Sequence, residues 1–138
     1  MASAAKVCKD CPPGIKKNRP APHPGPRCAT HWRQEVKRRE ARAHEMHVQK
    51  TYGLPPGGYE SLYAVQGGVC AICGPRAKGI SKRLAVDHDH ATGAVRGLCC
   101  TACNRLLGHA RDSAEFFERA AEYLRNPPAK RFGWRVTQ

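Results

Sequence analysis

Acidic and aromatic residues are both scarce in this chain. Eleven Asp and Glu stand against 24 Lys and Arg, and only three Phe, two Trp and four Tyr occur in 138 residues. So few aromatics exclude a large oily core, and a domain with a thin core usually needs covalent or metal staples. Long apolar runs are missing as well. Nothing approaches the roughly 20 residues of a membrane-spanning helix, so no membrane association is expected. The opening Met-Ala-Ser-Ala-Ala-Lys has no apolar stretch of the kind a secretory signal carries, which makes a reducing, cytoplasmic setting the expectation.

The shortage of acid leaves a net charge of +13, distributed as +8 over residues 1–52, +3 over 53–110 and +2 over 111–138. A positive field concentrated at one end attracts polyanions, and nucleic acid is the obvious soluble one. The alternative is a basic surface that merely keeps the protein in solution.

Cysteine is abundant, with eight residues. In a reducing compartment, paired cysteines more often hold metal than form disulfides, and most of these fall in C-x-x-C or C-x-x-H knuckles. Cys8-Lys-Asp-Cys11 is followed, after sixteen residues, by Cys28-Ala-Thr-His31. Three Cys and one His in two knuckles match a tetrahedral zinc site. It would order a segment whose prolines, in Pro12-Pro13-Gly14 and in 20–26, exclude helix and central strand. The second set is Cys70, Cys73, Cys100 and Cys103, with 26 residues between the pairs. This is the spacing of a closed, structural four-thiolate zinc. Cys99 could replace Cys100, but only Cys100 keeps the C-x-x-C spacing with Cys103; Cys99 is read as a small buried residue.

Between these pairs lies the densest chemistry. Leu84 to His90 and Ala94 to Leu98 read as strands joined by a three-residue hairpin loop, Ala91-Thr92-Gly93. Asp87, His88, Asp89 and His90 are consecutive. Carboxylate and amide oxygens suit Mg²⁺, and Asp87 and Asn104 are the oxygen ligands chosen here, Asn104 following zinc ligand Cys103 directly. An imidazole exchanges protons near neutrality, so His88 is the natural general base. A metal-bound phosphate beside a base-activated water is the apparatus of phosphodiester hydrolysis. Neighbouring residues in a regular strand face opposite ways, so Asp87 and His88 can serve one metal only if the backbone is irregular over Asp87–His90. The competing reading is a set of surface charges on the hairpin of a zinc module.

Helices are expected on either side. Residues 31 to about 50 contain no Gly or Pro and carry a thin apolar stripe, Trp32, Val36, Ala43 and Met46. A second helix presents Tyr59, Leu62, Tyr63 and Val65 on one face and closes at Gly67-Gly68. Thr101 would cap a third, ending near Gly108. Asp112-Ser113-Ala114-Glu115 resembles a capping box for a last helix burying Phe116, Phe117, Ala120, Tyr123 and Leu124. Asn126-Pro127-Pro128 ends it.

Taken together, Cys70-Ala-Ile-Cys73, the run Val86 to Leu98, and Cys100-x-x-Cys103-Asn104-x-x-Leu107-Gly108 resemble the phage recombination endonuclease VII family of His-Me finger (HNH-like) nucleases. The resemblance covers about residues 51–125. It implies a ββα-metal active site beside a four-Cys zinc, with Asp87 and Asn104 binding Mg²⁺, His88 activating water and His90 assisting with the phosphate. The best-studied members resolve branched DNA such as Holliday junctions and act as dimers, so a homodimer is implied; a phage-encoded protein would work in the bacterial host cytoplasm. Cys99 stands where an aliphatic residue is usual, Pro56-Gly57-Gly58 replaces a more helical lead-in, and the N-terminal knuckles lie outside the shared core.

The expected fold is therefore α+β, a small zinc-stapled domain. Residues 1–31 form a zinc-binding segment, 32–50 a basic helix, 51–125 the nuclease domain and 126–138 a basic tail. The expected function is a Mg²⁺-dependent DNA endonuclease, with DNA held by the basic N-terminal segment and the nuclease cleft. The rivals are an HNH-type homing or packaging-associated nuclease on duplex DNA, a non-catalytic zinc module that binds nucleic acid, and a protein-interaction module.

Overall fold

The computed structural model describes residues 7–12, 20–75 and 83–136. Pro13 and Gly14 of the expected N-terminal loop, the opening hexapeptide and the last two residues of the tail lie outside them. The described residues hold four α-helices and a two-stranded sheet, an α+β arrangement. The chain divides into two compact units, Met1–Pro56 and Gly57–Gln138.

In the first unit a short, proline-rich scaffold leads into one long helix. An isolated bridge pairs Val7 with Pro20. His23 and Arg27 exchange both backbone hydrogen bonds, at 3.3 and 3.2 Å, around a turn at Gly25. This turn brings Cys28 to the start of helix α1, Ala29–Tyr52. The helix begins two residues earlier than expected, which puts His31 in its first turn. It stops at Gly53, whose φ of 67° suits glycine and whose N–H bonds to the Gln49 carbonyl.

Helix α1 contains Arg, Glu, Gln and Ala, which favour helix, but buries little. Val48 is its one buried residue. The expected stripe is corrected accordingly: Trp32 and Val36 are half-buried, Ala43 is exposed, and Met46 is 60% exposed. Pairs along the surface contribute instead. Glu35 accepts from Arg38 and Arg39 at 2.8–3.1 Å, and these two guanidinium groups hold its carboxyl down at about 2.

In the second unit, α2 spans Gly58–Val65. Only Tyr59 is buried there; its hydroxyl donates to the Leu84 carbonyl at 2.9 Å. The expected apolar face fails at Val65, which is 85% exposed. Six residues turn a helix by about 600°, which carries Val65 well round from Tyr59.

Strand β1, Ala85–His88, pairs antiparallel with β2, Val95–Cys99. The register runs Ala85↔Cys99, Val86↔Leu98, Asp87↔Gly97, then slips to His88↔Val95, so Arg96 is the extra residue of a bulge. The irregularity expected at Asp87–His90 is present: it comes from the partner strand, and β1 ends at His88. The connecting loop is corrected from three residues to six, 89–94. Asp89 causes this, because its carboxylate accepts from the Ala91 and Thr92 N–H groups at 2.9 and 2.7 Å, a local turn that displaces ladder pairing.

One side chain, together with the Ala71 N–H, which donates to the Leu98 carbonyl at 3.0 Å, covers the outer edge of β2. Gln66 Nε2 donates to the Leu98 carbonyl and Gln66 Oε1 accepts from the Leu98 N–H, both at 2.8 Å. A Cβ on Gly97 would stand 3.0 Å from Gln66 Oε1, which explains the glycine beside it. Leu84, Val86, Leu98, Cys99, Tyr59 and Ala110 supply the buried apolar residues of this unit, a core as thin as the composition implies.

Helix α3 spans Thr101–His109 and packs on both strands. Its N-cap is Cys100, whose sulfur accepts from the Cys103 N–H; the expected cap at Thr101 is corrected, since the sulfur already fills that role. Gly108 stays helical. The left-handed turn falls at Arg111 and Asp112, where φ is 52° and 56°, and the Asp112 N–H reaches back to the Leu107 carbonyl at 3.0 Å. Helix α4, Ala114–Arg125, is capped by Ser113, which accepts from the Phe116 N–H at 3.1 Å. The expected cap at Asp112 is thus displaced by one residue. The expected burial of this helix is corrected too: Phe117 and Ala120 are half-buried, while Phe116, Tyr123 and Leu124 are exposed. An amphipathic pattern marks the apolar face without providing anything to cover it. A short 3₁₀ turn, Pro128–Phe132, follows, and Phe132 stacks on Trp134 at 4.5 Å.

Candidate active site and metal centres

All eight cysteines are free thiols, and seven of them gather with His31 into two clusters that could hold a metal ion. In the first, His31 Nδ1 lies 3.3, 3.5 and 3.4 Å from the sulfurs of Cys8, Cys11 and Cys28. A tetrahedral zinc with Zn–S of about 2.3 Å and Zn–N of about 2.0 Å spaces such atoms about 3.5 Å apart. The helix start places His31, and the His23–Arg27 turn places Cys28. Burial pushes the Cys8 thiol up, but the N–H groups of Cys28 and Asp10 outweigh it and bring it down to about 7. Cys11 is pushed up to about 11 by burial and by its two neighbouring sulfurs.

The second cluster contains Cys70, Cys73, Cys100 and Cys103, all ligand atoms lying within 4.8 Å of one another. Cys73 and Cys100 sulfurs are 3.8 Å apart, the separation set by two Zn–S bonds of about 2.3 Å at a tetrahedral centre. The Cys100 N–H donates to Cys70 Sγ at 3.2 Å. Burial raises the Cys70 thiol, yet the N–H groups of Cys100, Cys73 and Ile72 together lower it to about 6. The Cys103 N–H lowers Cys100, while burial and the adjacent sulfurs raise Cys73 and Cys103. Thiolates packed this closely oppose one another's ionisation, and a divalent cation among them removes that conflict. Both donor sets therefore fit zinc. Cys99 stands apart, buried, with its thiol pushed up to about 12 by burial and then by the nearby Cys70 and Asp87 charges.

The end of the ribbon beyond this cluster gathers the polar groups. Asp87 is 7% exposed. Both of its carboxylate oxygens are held by Arg96, from Nε at 2.7 Å and from Nη2 at 3.1 Å. Arg96 Nη2 also donates to Asp112 Oδ1 at 2.9 Å. Asp112 Oδ2 lies 3.0 Å from His90 Nδ1. The rings of His88 and His90 meet edge to face, 5.0 Å between centroids. A chain of contacts thus runs Asp87–Arg96–Asp112–His90–His88. The paired carboxylates raise the Arg96 guanidinium above its ordinary range.

Asp87, His88 and His90 are brought together in this way. Asn104 is half-buried in the first turn of α3 and is not part of the chain. Asp89 is a turn former, its carboxyl lowered by the Thr92 and Ala91 groups it accepts from. Arg96 was not singled out from sequence, and Asp112 was read there only as a helix cap. Arg96 joins the site because a bulge turns it toward Asp87, and Asp112 because of the left-handed turn, neither of which has a local sequence signal. An open cleft of about 480 Å³ lies alongside, lined by Asp89, His90, Ala91, Gly108, Arg111 and Asp112.

A β-β-α succession, a four-sulfur cluster at its base and an Asp/His cluster at the ribbon's end define a small α+β protein with two clusters that could hold metal. The family model for recombination endonuclease VII matches residues 45–126, and the chain belongs to that family; it is a nuclease of that kind. It is 54% identical over 126 residues to the Gene 59 protein of Mycobacterium phage L5, which spans 90% of this chain and 76% of that relative. It is 52% identical, with the same coverage, to the Gene 59 protein of Mycobacterium phage D29. No solved structure matches. No helix among the described residues is long and apolar enough to cross a membrane.

Proposed function

We propose that the chain is a Mg²⁺-dependent DNA endonuclease with a ββα-metal, His-Me finger site, acting on branched DNA. In this reading Asp87 and Asn104 hold the magnesium, His88 takes a proton from the attacking water and His90 supports the phosphate. Cys70, Cys73, Cys100 and Cys103 hold one structural zinc, and Cys8, Cys11, Cys28 and His31 a second. Residues 1–31 and the basic helix over 32–50 grip the DNA backbone, 51–125 carry the chemistry, and 126–138 form a basic tail. A homodimer and a host-cytoplasmic setting go with it.

The observation that supports this reading best is the linked cluster at the ribbon's end, where Arg96 and Asp112 join buried Asp87 to His90. The His88 ring meets that of His90, and Asp87 is the buried carboxylate at the other end of the same chain of contacts. The donor set fits: a carboxylate and an amide oxygen are hard ligands suited to Mg²⁺. The magnesium would supply charge to offset that developing on the phosphate. The chain's own residues do the remainder. Arg96 yields a carboxylate oxygen of Asp87 and keeps Asp112 as its acceptor. Cys103, fixed in its cluster, sets the first turn of α3 and with it Asn104.

Purified protein with Mg²⁺, offered four-way junction, matched linear duplex and single-stranded DNA, tests the substrate. Preferred cutting of the junction is expected; equal cutting of junction and duplex would replace branched DNA with a duplex substrate. Backbone binding by Lys and Arg should weaken steeply as salt rises, and a flat salt response would remove the basic segment from DNA binding.

A further inference from the structure

Asp112 occupies the sharp link between α3 and α4. It and Arg111 are the non-glycine residues with positive φ among the described residues, at 56° and 52°. Asp and Asn enter this region more readily than other side-chain-bearing residues. The turn aims the Asp112 carboxylate back at the ribbon. One oxygen reaches Arg96 at 2.9 Å and the other reaches His90 Nδ1 at 3.0 Å. The Asp112 side chain is 15% exposed, whereas that of His90 is 65% exposed.

A side chain as open as His90 would turn freely about its own bonds unless held. Here a nearly covered carboxylate holds it by one named nitrogen. We propose that Asp112 is the positioning residue of this site: it anchors His90 through Nδ1, so that Nε2 is the nitrogen presented to a phosphate oxygen of the nucleic acid, and it retains Arg96 when Asp87 turns to a cation. A carboxylate that accepts the Nδ1–H of an imidazole fixes both the ring's orientation and the nitrogen left to work, as it does for metal-bound and catalytic histidines. The second half follows from the shared guanidinium. Arg96 bonds both Asp87 oxygens and one Asp112 oxygen, so the release of Asp87 leaves Arg96 tied to Asp112 instead of solvent. His90 and Asp112 both line the open cleft of about 480 Å³, which leaves room for a backbone phosphate beside them.

The role assigned to His90 rests on the proposed nuclease reading; the Asp112–His90 anchor does not. The experiment separates them. In the full chain, long-range ¹H–¹⁵N correlation of the His90 ring should show the proton held on Nδ1. Asp112→Gly removes the carboxylate while suiting the left-handed backbone, and the His90 nitrogens should then move to the averaged pattern of an unanchored imidazole, with the melting transition still cooperative. The same variant should lower kcat on the order of 10-fold or more, with KM changing far less. An unchanged nitrogen pattern in Asp112→Gly overturns the proposal. So does a changed pattern with kcat unaffected while His90→Ala abolishes cutting. If His90→Ala cuts as the wild type does, the phosphate role of His90 falls, and the nitrogen pattern alone decides whether Asp112 anchors the ring.

Discussion

A carboxylate as buried as Asp87 must be paired or bind a cation, and Arg96 pairs with it through two hydrogen bonds. Gln66 plays an equivalent part for the backbone, supplying both a donor and an acceptor to fully buried Leu98. Replacing Gln66 with Ala leaves the Leu98 N–H without its acceptor and takes one of two donors from its carbonyl, Ala71 N–H being the other. The expected loss is about 2 kcal/mol of stability, read as a lower urea midpoint at unchanged slope; an unchanged midpoint would mean water or another group replaces the amide. Asp87, His88, His90 and the cysteines were legible because their chemistry is local and densely spaced. Arg96, Asp112 and Gln66 were not, because each owes its role to a partner at least nine residues away.

At the scale of elements, periodicity and the absence of Gly and Pro marked the helices well, and their ends less well. Two N-caps lie one residue from the expected ones. At α3 the Cys100 sulfur does the work of a hydroxyl, and at α4 Ser113 caps because Asp112 is drawn to Arg96 and His90. Ser113→Ala should cost about 1 kcal/mol, measured by chemical denaturation; Asp112→Ala should affect the site more than the helix start. The hairpin loop was misread because Asp89 was placed inside the first strand, while its bonds to Ala91 and Thr92 make it the turn. Burial on α1, α2 and α4 was overestimated for a common reason: an apolar stripe identifies a face, and only a neighbouring element can bury it. Leu124 and Met46 remain largely exposed.

For the whole molecule, thin cores and paired knuckles called for staples, and the two clusters answer that need. Protein prepared with zinc should carry two zinc ions per chain by elemental analysis. Cys103→Ala should remove one and, because metal binding is folding free energy in small domains, unfold Gly57–Gln138 preferentially; Cys28→Ala should remove the other. Retention of both ions in either variant would contradict the ligand sets. The clusters were readable from residue spacing, and the α+β class and the family from helix and strand patterns and the resemblance of the motifs, whereas the division into Met1–Pro56 and Gly57–Gln138 depends on how the chain closes on itself, which none of these records. The central claim is that the Asp87–His88 end of the ribbon cuts DNA with magnesium. The direct measurement compares wild type and His88→Ala on a labelled four-way junction with Mg²⁺ present or chelated. Cutting by the wild type with Mg²⁺ alone, abolished in His88→Ala while DNA binding persists, is the predicted result; cutting that survives either the substitution or the chelation would contradict it.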